Sequence, residues 1–315
     1  MKQGRLNLPP RHRSAQVIAL ILLVAVCAHT RAADKDTWRI TENRYFRAIS
    51  DAPNDRVREL LKDLDKFRVF VQKFATVTIP DDAPRTNVII FNRTGDFQHY
   101  TPNDNIAGFA SWDQQHHFYI VMPSRALRAN AIHDIRHEYV HVLMGYHLFR
   151  VPTWYNEGLA EFLASVKIHG QTIIVGEPPQ DRARDWYYRP LYSFDKLVAG
   201  GINPSMTTLS DIYMQYWLLT DYMLMDAGHA KLMNKYIALY NAGMDSLKAF
   251  KLSFGKSPSK LARSELNNYV RHMKALRMHF DFAGIDARFS VHAASKADKS
   301  DMYTFLDTLD WSRIR

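Results

Sequence analysis

The chain has 315 residues, 47% of them apolar, a formal net charge of +9 and a single cysteine. It is long and apolar enough for one large domain or two lobes with a sizeable core, and one cysteine excludes a fold held by disulfides. The positive charge reads as spread along the chain. With no recognition motif beside it, it points to a solvated basic surface and not to a nucleic-acid partner.

In chain order, residues 1–33 read as a targeting segment. Lys2, Arg5, Arg11 and Arg13 form a basic start, and Ala15 to Ala28 is an apolar run too short for a standard membrane span. Val26-Cys27-Ala28 and Thr30-Arg31-Ala32 are small-residue cleavage sites. The expectation is a signal peptide and an exported protein, periplasmic or secreted. Left uncleaved, the segment is an N-terminal anchor, and only then is the membrane a partner. Cys27 lacks the small residue that precedes a lipoprotein cysteine.

Residues 37–50 alternate loosely and predict a strand. Val57, Leu60, Leu61, Leu64, Phe67, Val71 and Phe74 repeat at helical spacing. Thr86 to Phe91 predicts a buried strand, and Gly108 to Ser111 and Phe118 to Val121 two short ones, with His116 and His117 at the surface between them. Helices follow at Arg125–Tyr146 and Thr153–Val166, then a strand at Thr172–Val175 between two glycines. Residues 177–206, rich in proline, glycine and aromatics, read as a long loop, either a lid over a site or a packed connector. Helical patterns run from Ser210 into the 270s, broken at Gly228, Gly243 and Gly255. The tail from Asp281 is polar and weakly patterned, expected as a short helical cap or a partly disordered end. The expected architecture is α+β: a small mixed sheet with a helix pair over residues 34–175, a helical lobe over 176–280 and a tail over 281–315.

The chemistry concentrates in His137-Glu138-Tyr139-Val140-His141. Residues four apart share a helix face, so two imidazoles at this spacing can grip one zinc ion, with Glu138 beside it as general base. Zinc needs a third protein ligand and an open position. Glu157 and Glu161, also four apart, offer one carboxylate for the metal and one to orient a ligating histidine. His147, six residues after His141, is the competing third ligand; otherwise it closes its helix, where a histidine suits the C-terminal dipole. His133, one turn before His137 on the same face, reads as a partly buried structural histidine, or else as an outer partner of the ligands.

H-E-x-x-H followed by W-x-x-E-G-x-A-E, from Trp154 to Glu161, resembles the gluzincin metallopeptidases, and more narrowly the bacterial peptidase MA-like domain. The resemblance implies that His137, His141 and Glu157 hold one zinc ion in a cleft between the lobes. It implies hydrolysis of peptide or protein substrates by an activated water, with Glu138 as the base. It also implies an edge strand that pairs with extended substrate, for which Gly108, Phe109 and Ala110 are the candidates. A tyrosine from the helical lobe would stabilise the oxyanion: Tyr213, in a Tyr-x-Gln pattern with Gln215, or Tyr216. Both tyrosines also fit plain core packing. A zinc-stabilised binding protein with little turnover, or a hydrolase of a non-protein amide in the cell wall, would use the same ligands.

Overall fold

The computed structural model describes residues 38–104, 106, 108–113, 115, 117–127, 131–146, 150–179, 192–200, 202 and 209–311. The expectations for residues 1–33, for His116 and His147, and for most of the loop at 177–206 lie outside them.

The segment expected as one strand is a hairpin. Strands β1 (Arg39–Glu42) and β2 (Phe46–Ser50) pair antiparallel around a turn at 43–45. The cause is Asn43, whose side-chain oxygen accepts from the backbone N–H groups of Tyr45 and Phe46. This is an asparagine-driven turn, which reverses the chain where a loose alternation suggests continuity. Helix α1 (Asn54–Phe74) and strand β3 (Thr86–Phe91) follow, then a short helix α2 (Thr94–Gln98) and strands β4 (Phe109–Trp112) and β5 (Phe118–Pro123). A 3₁₀ turn at Ser124–Leu127 leads into α3 (Ala131–Gly145), so the motif helix starts later than its sequence pattern.

The main sheet is mixed, in the order β4-β5-β3-β2-β1-β9, the last of these being Ser290–Ala293. β3 lies parallel to both neighbours, and β4 is the outermost strand at one side among the described residues. Alternation sorts its side chains onto two faces. Phe46, Ala48, Val88, Ile90, Ala110, Ile120 and Met122 join the larger core, shared with α1 and α3. Ile49, Ile89, Phe91, Phe109 and Val121 face a second core.

The tail covers that second face. Strand β9 (Ser290–Ala293) pairs antiparallel with β1, and a helix at Lys296–Asp307 buries Met302, Phe305 and Leu306 there. The helical cap is present; the strand was not expected. Three apolar side chains in a polar segment make a weak pattern, yet each contributes roughly 1.5–3 kcal/mol when buried. A capping box between Ser295 and Asp298 fixes the helix start.

Helix α4 (Thr153–Ala164) follows the motif helix, with Pro152 at its N-cap. A second sheet, β6 (Lys167–His169), β7 (Thr172–Val175) and β8 (Leu276–His279), replaces the end of the expected helical run with a strand. The helical part comprises α5 (Phe194–Ala199), α6 (Leu209–Leu224), α7 (Ala227–Asn241), α8 (Ser246–Phe254), and α9 (Pro258–Leu261), which runs through a π turn at Ala262–Leu266 into α10 (Asn267–His272). The tail helix is α11. Trp38–Arg315 is a single compact unit with mixed α and β content.

Candidate metal centre

Two anchors place the motif helix and its partner. Arg136 of α3 is buried; its guanidinium donates to both oxygens of Asp63 on α1 and to the Val166 carbonyl after α4. At the start of α4, the Trp154 indole N–H donates to the Tyr236 hydroxyl. That hydroxyl bonds Ser246, which donates to the Val198 carbonyl. This buried chain ties the first turn of α4 to α5, α7 and α8, and Glu157 sits one turn further on.

Gly158 sets the distance between α4 and α6. A Cβ there would lie 2.2 Å from Thr220 Oγ1 and 2.6 Å from the Tyr216 carbonyl oxygen. Only glycine lets the two backbones approach so closely. The E-G pair thus couples a candidate ligand to the helix that carries the candidate tyrosines.

The three candidate ligands converge. His137 Nε2 stands 3.2 Å from His141 Nε2 and 3.3 Å from Glu157 Oε2, and His141 Nε2 stands 3.6 Å from that same oxygen. A tetrahedral ion with bonds of about 2.0–2.1 Å holds its ligand atoms about 3.3 Å apart. The triangle therefore has the size of one face of such a site. Among the described residues it is the one group of this kind that can hold a metal ion.

A carboxylate stands behind it. Glu161 is fully buried, with Oε1 3.0 Å from His137 Nδ1 and Oε2 3.5 Å from His133 Nε2. The first contact is a close imidazole–carboxylate pair. It fixes which nitrogen of His137 is left for a ligand. Sequence reasoning preferred a structural role for His133 over that of an outer partner of the site. Its spacing, one turn before His137, was visible, but its partner lies on another helix.

The charges fit cation binding. Burial disfavours a charged His137, but hydrogen bonding to Glu157 and Glu161 outweighs it and raises the imidazole to about 10. Burial likewise works against the Glu157 carboxylate, and the two histidines overcome it, holding the group well below the usual range. An imidazolium between two carboxylates is thus the charge a bound cation would replace. Glu138, half-buried, is pushed up by burial, opposed by His137 and His141 and reinforced by Glu157 and Asp134.

Tyr213 stacks on His137 with centroids 5.7 Å apart and planes at 26°. Tyr216 is buried; burial and the Glu157 charge push its hydroxyl up to about 12. Gln215 points elsewhere: its amide pairs with both backbone groups of Tyr192, at 2.8 and 3.0 Å. The Tyr-x-Gln pattern therefore serves two purposes, a tyrosine at the site and a clamp on residue 192.

The edge-strand candidates divide. Gly108 packs against Ile135 of the motif helix and the β5 backbone. Asp113 N–H bonds the His117 carbonyl, so by alternation residues 109 and 111 face β5, and Ala110 and Trp112 turn their main-chain groups to the open edge. Phe109 is turned away from that open edge. Its main chain pairs inward with Val121, and its side chain packs in the opposite core against Phe97 and Trp311. His117 bonds Asp113 at the surface, away from any ligand role.

Comparison with protein-family models and with curated proteins gives no match.

Proposed function

We propose that this chain is an exported zinc metallopeptidase, with zinc held by His137, His141 and Glu157 in the cleft between the sheet-bearing part and the helical part. The single observation that carries the reading is the triangle of ligand atoms, 3.2, 3.3 and 3.6 Å on its sides, with Glu161 behind His137. It matches the donor set and spacing of a three-ligand site that leaves one position open. The H-E-x-x-H and E-G-x-A-E residues supply these atoms, which supports the likeness to gluzincins.

Zinc, when bound, would polarise the scissile carbonyl and make water acidic enough to attack near neutral pH. Glu138 takes up the proton of the attacking water and returns it to the leaving nitrogen. Tyr213 donates from its hydroxyl to the oxygen on which negative charge develops. The Ala110 and Trp112 main chain pairs with extended substrate along the open edge of β4. The basic start and apolar run of residues 1–33 support export.

The test is metal analysis of the purified chain with a broad peptide-substrate screen. One zinc per chain, and hydrolysis lost in Glu138→Gln with zinc retained, is the expected result. Full metal without any hydrolysis would favour a binding protein, and no metal at all would end the reading.

A further inference from the structure

The net charge is not spread as the sequence first suggests. Residues 227–274 hold nine basic side chains against one aspartate and one glutamate, whereas the rest of residues 38–315 holds 26 basic and 28 acidic ones. The excess therefore belongs to α7, α8 and the helices after them.

Part of it surrounds an exposed leucine. Leu252, near the end of α8, is 51% exposed. Lys235 of α7 donates from Nζ to the Leu252 carbonyl at 3.0 Å, which brings the two helices together at that residue. Lys231 lies one turn before Lys235, Lys248 one turn before Leu252, and Lys251 beside it, all exposed. Residues one turn apart share a helix face. The two acids of residues 227–274 are engaged: Asp245 caps α8 by accepting from the Lys248 N–H, and Glu265 takes Lys256 and Tyr222.

We propose that this face docks on an anionic phospholipid bilayer, its lysines meeting headgroup phosphates while Leu252 enters the headgroup–acyl boundary. Exposed lysines on both helices beside an apolar side chain match both layers of such an interface. A soluble polyanion would use the lysines and leave Leu252 idle. No helix among the described residues is long and apolar enough to cross a membrane, so attachment through this face is peripheral. The inference stands apart from the metal centre, and no residue of that centre takes part.

Cosedimentation of the full chain with vesicles of phosphatidylglycerol and phosphatidylcholine, against phosphatidylcholine alone, tests it. Any contribution of the N-terminal segment is then common to all arms. Wild type should favour the anionic vesicles, less so as salt rises. The combined Lys231→Glu, Lys248→Glu, Lys251→Glu variant should lose at least about tenfold in partitioning, and Leu252→Ser about threefold. Circular dichroism checks that both variants fold. Equal partitioning of wild type and the lysine variant, or no preference for anionic vesicles, would overturn the proposal. Loss in the lysine variant with full binding by Leu252→Ser would overturn it too, in favour of a polyanion.

Discussion

Glu161 Oε1 stands 3.0 Å from His137 Nδ1, and neither side chain is exposed to solvent by more than a few per cent. The pair is shut off from bulk solvent, so loss of the carboxylate leaves His137 Nδ1 without its charged partner. Removing such an outer partner typically costs 10–100-fold in metal affinity. Glu161→Ala should therefore weaken zinc binding by about that factor, and His133→Ala, one contact further out, by less. A competitive chelator titration measures both. Unchanged affinity in Glu161→Ala would remove Glu161 from the metal centre.

Metal removal should lower stability. His137 and Glu157 are buried, and an ion that binds only the folded chain adds about 2.7 kcal/mol at a hundredfold excess over Kd. Chelation should thus lower Tm by several degrees, and zinc should restore it. Glu157→Ala should start at a lower zinc occupancy and respond little to chelator. Scanning calorimetry with and without chelator checks this; an equal response in wild type and variant would exclude Glu157 as a ligand.

Catalytic roles separate from binding roles by their readouts. Glu138→Gln should keep zinc and lose hydrolysis by orders of magnitude, since the amide cannot accept the proton. Tyr213→Phe should lower kcat on the order of a hundredfold with little change in KM. Tyr216 is the comparison: it is buried, and its carbonyl abuts Gly158. If Tyr216→Phe carries the loss and Tyr213→Phe does not, the oxyanion role moves by one turn.

The candidate metal centre was partly legible because helical spacing puts His137 with His141 and Glu157 with Glu161 on shared faces. What the sequence did not carry was anything fixed by a distant partner. His133 finds Glu161 across two helices, and Gln215 finds a backbone segment. The break at 43–45 is the exception in kind: the asparagine was visible, but its turn competes with a strand pattern on both sides. The tail strand was invisible because β9 is mostly exposed and owes its place to pairing with β1 rather than to its own side chains. Which main-chain groups of Gly108 to Ala110 turn outward was not legible either, because that is set by the register with β5.

Gly158 gives a packing prediction with an internal control. A methyl group there would lie 2.2 Å from Thr220 Oγ1 and 2.6 Å from a backbone oxygen, so α4 and α6 must part. Gly158→Ala should destabilise by about 1–3 kcal/mol, as overpacking does, against the gain of up to about 1 kcal/mol that alanine brings to an open helix. Gly145→Ala meets nothing within 4 Å and should be neutral or slightly stabilising. Urea denaturation of the two variants compares them. A stable Gly158→Ala chain would mean that the helices tolerate separation.

Asp221 supplies the pH dependence. It lies on α6 at 1% exposure, accepts from the Tyr269 hydroxyl at 2.6 Å, and has its other oxygen near Gly176 and Met225. Burial raises its carboxyl from 3.8 to about 7, and the Tyr269 bond offsets only part of that. The folded chain therefore holds a proton that the unfolded chain releases between those values. Stability from this group is fully present below about pH 3.8, falls as pH rises through the window to 7, and is flat beyond it, a loss on the order of 4 kcal/mol. Asparagine keeps an acceptor for Tyr269 and cannot ionise. Asp221→Asn should match wild type at acid pH and exceed it at pH 8, with the acid-to-neutral slope correspondingly flattened. Urea midpoints taken at several pH values on both proteins decide the matter. A variant less stable than wild type at pH 8 would mean that the ionised Asp221 is well solvated or paired in the fold, and the burial argument would fail.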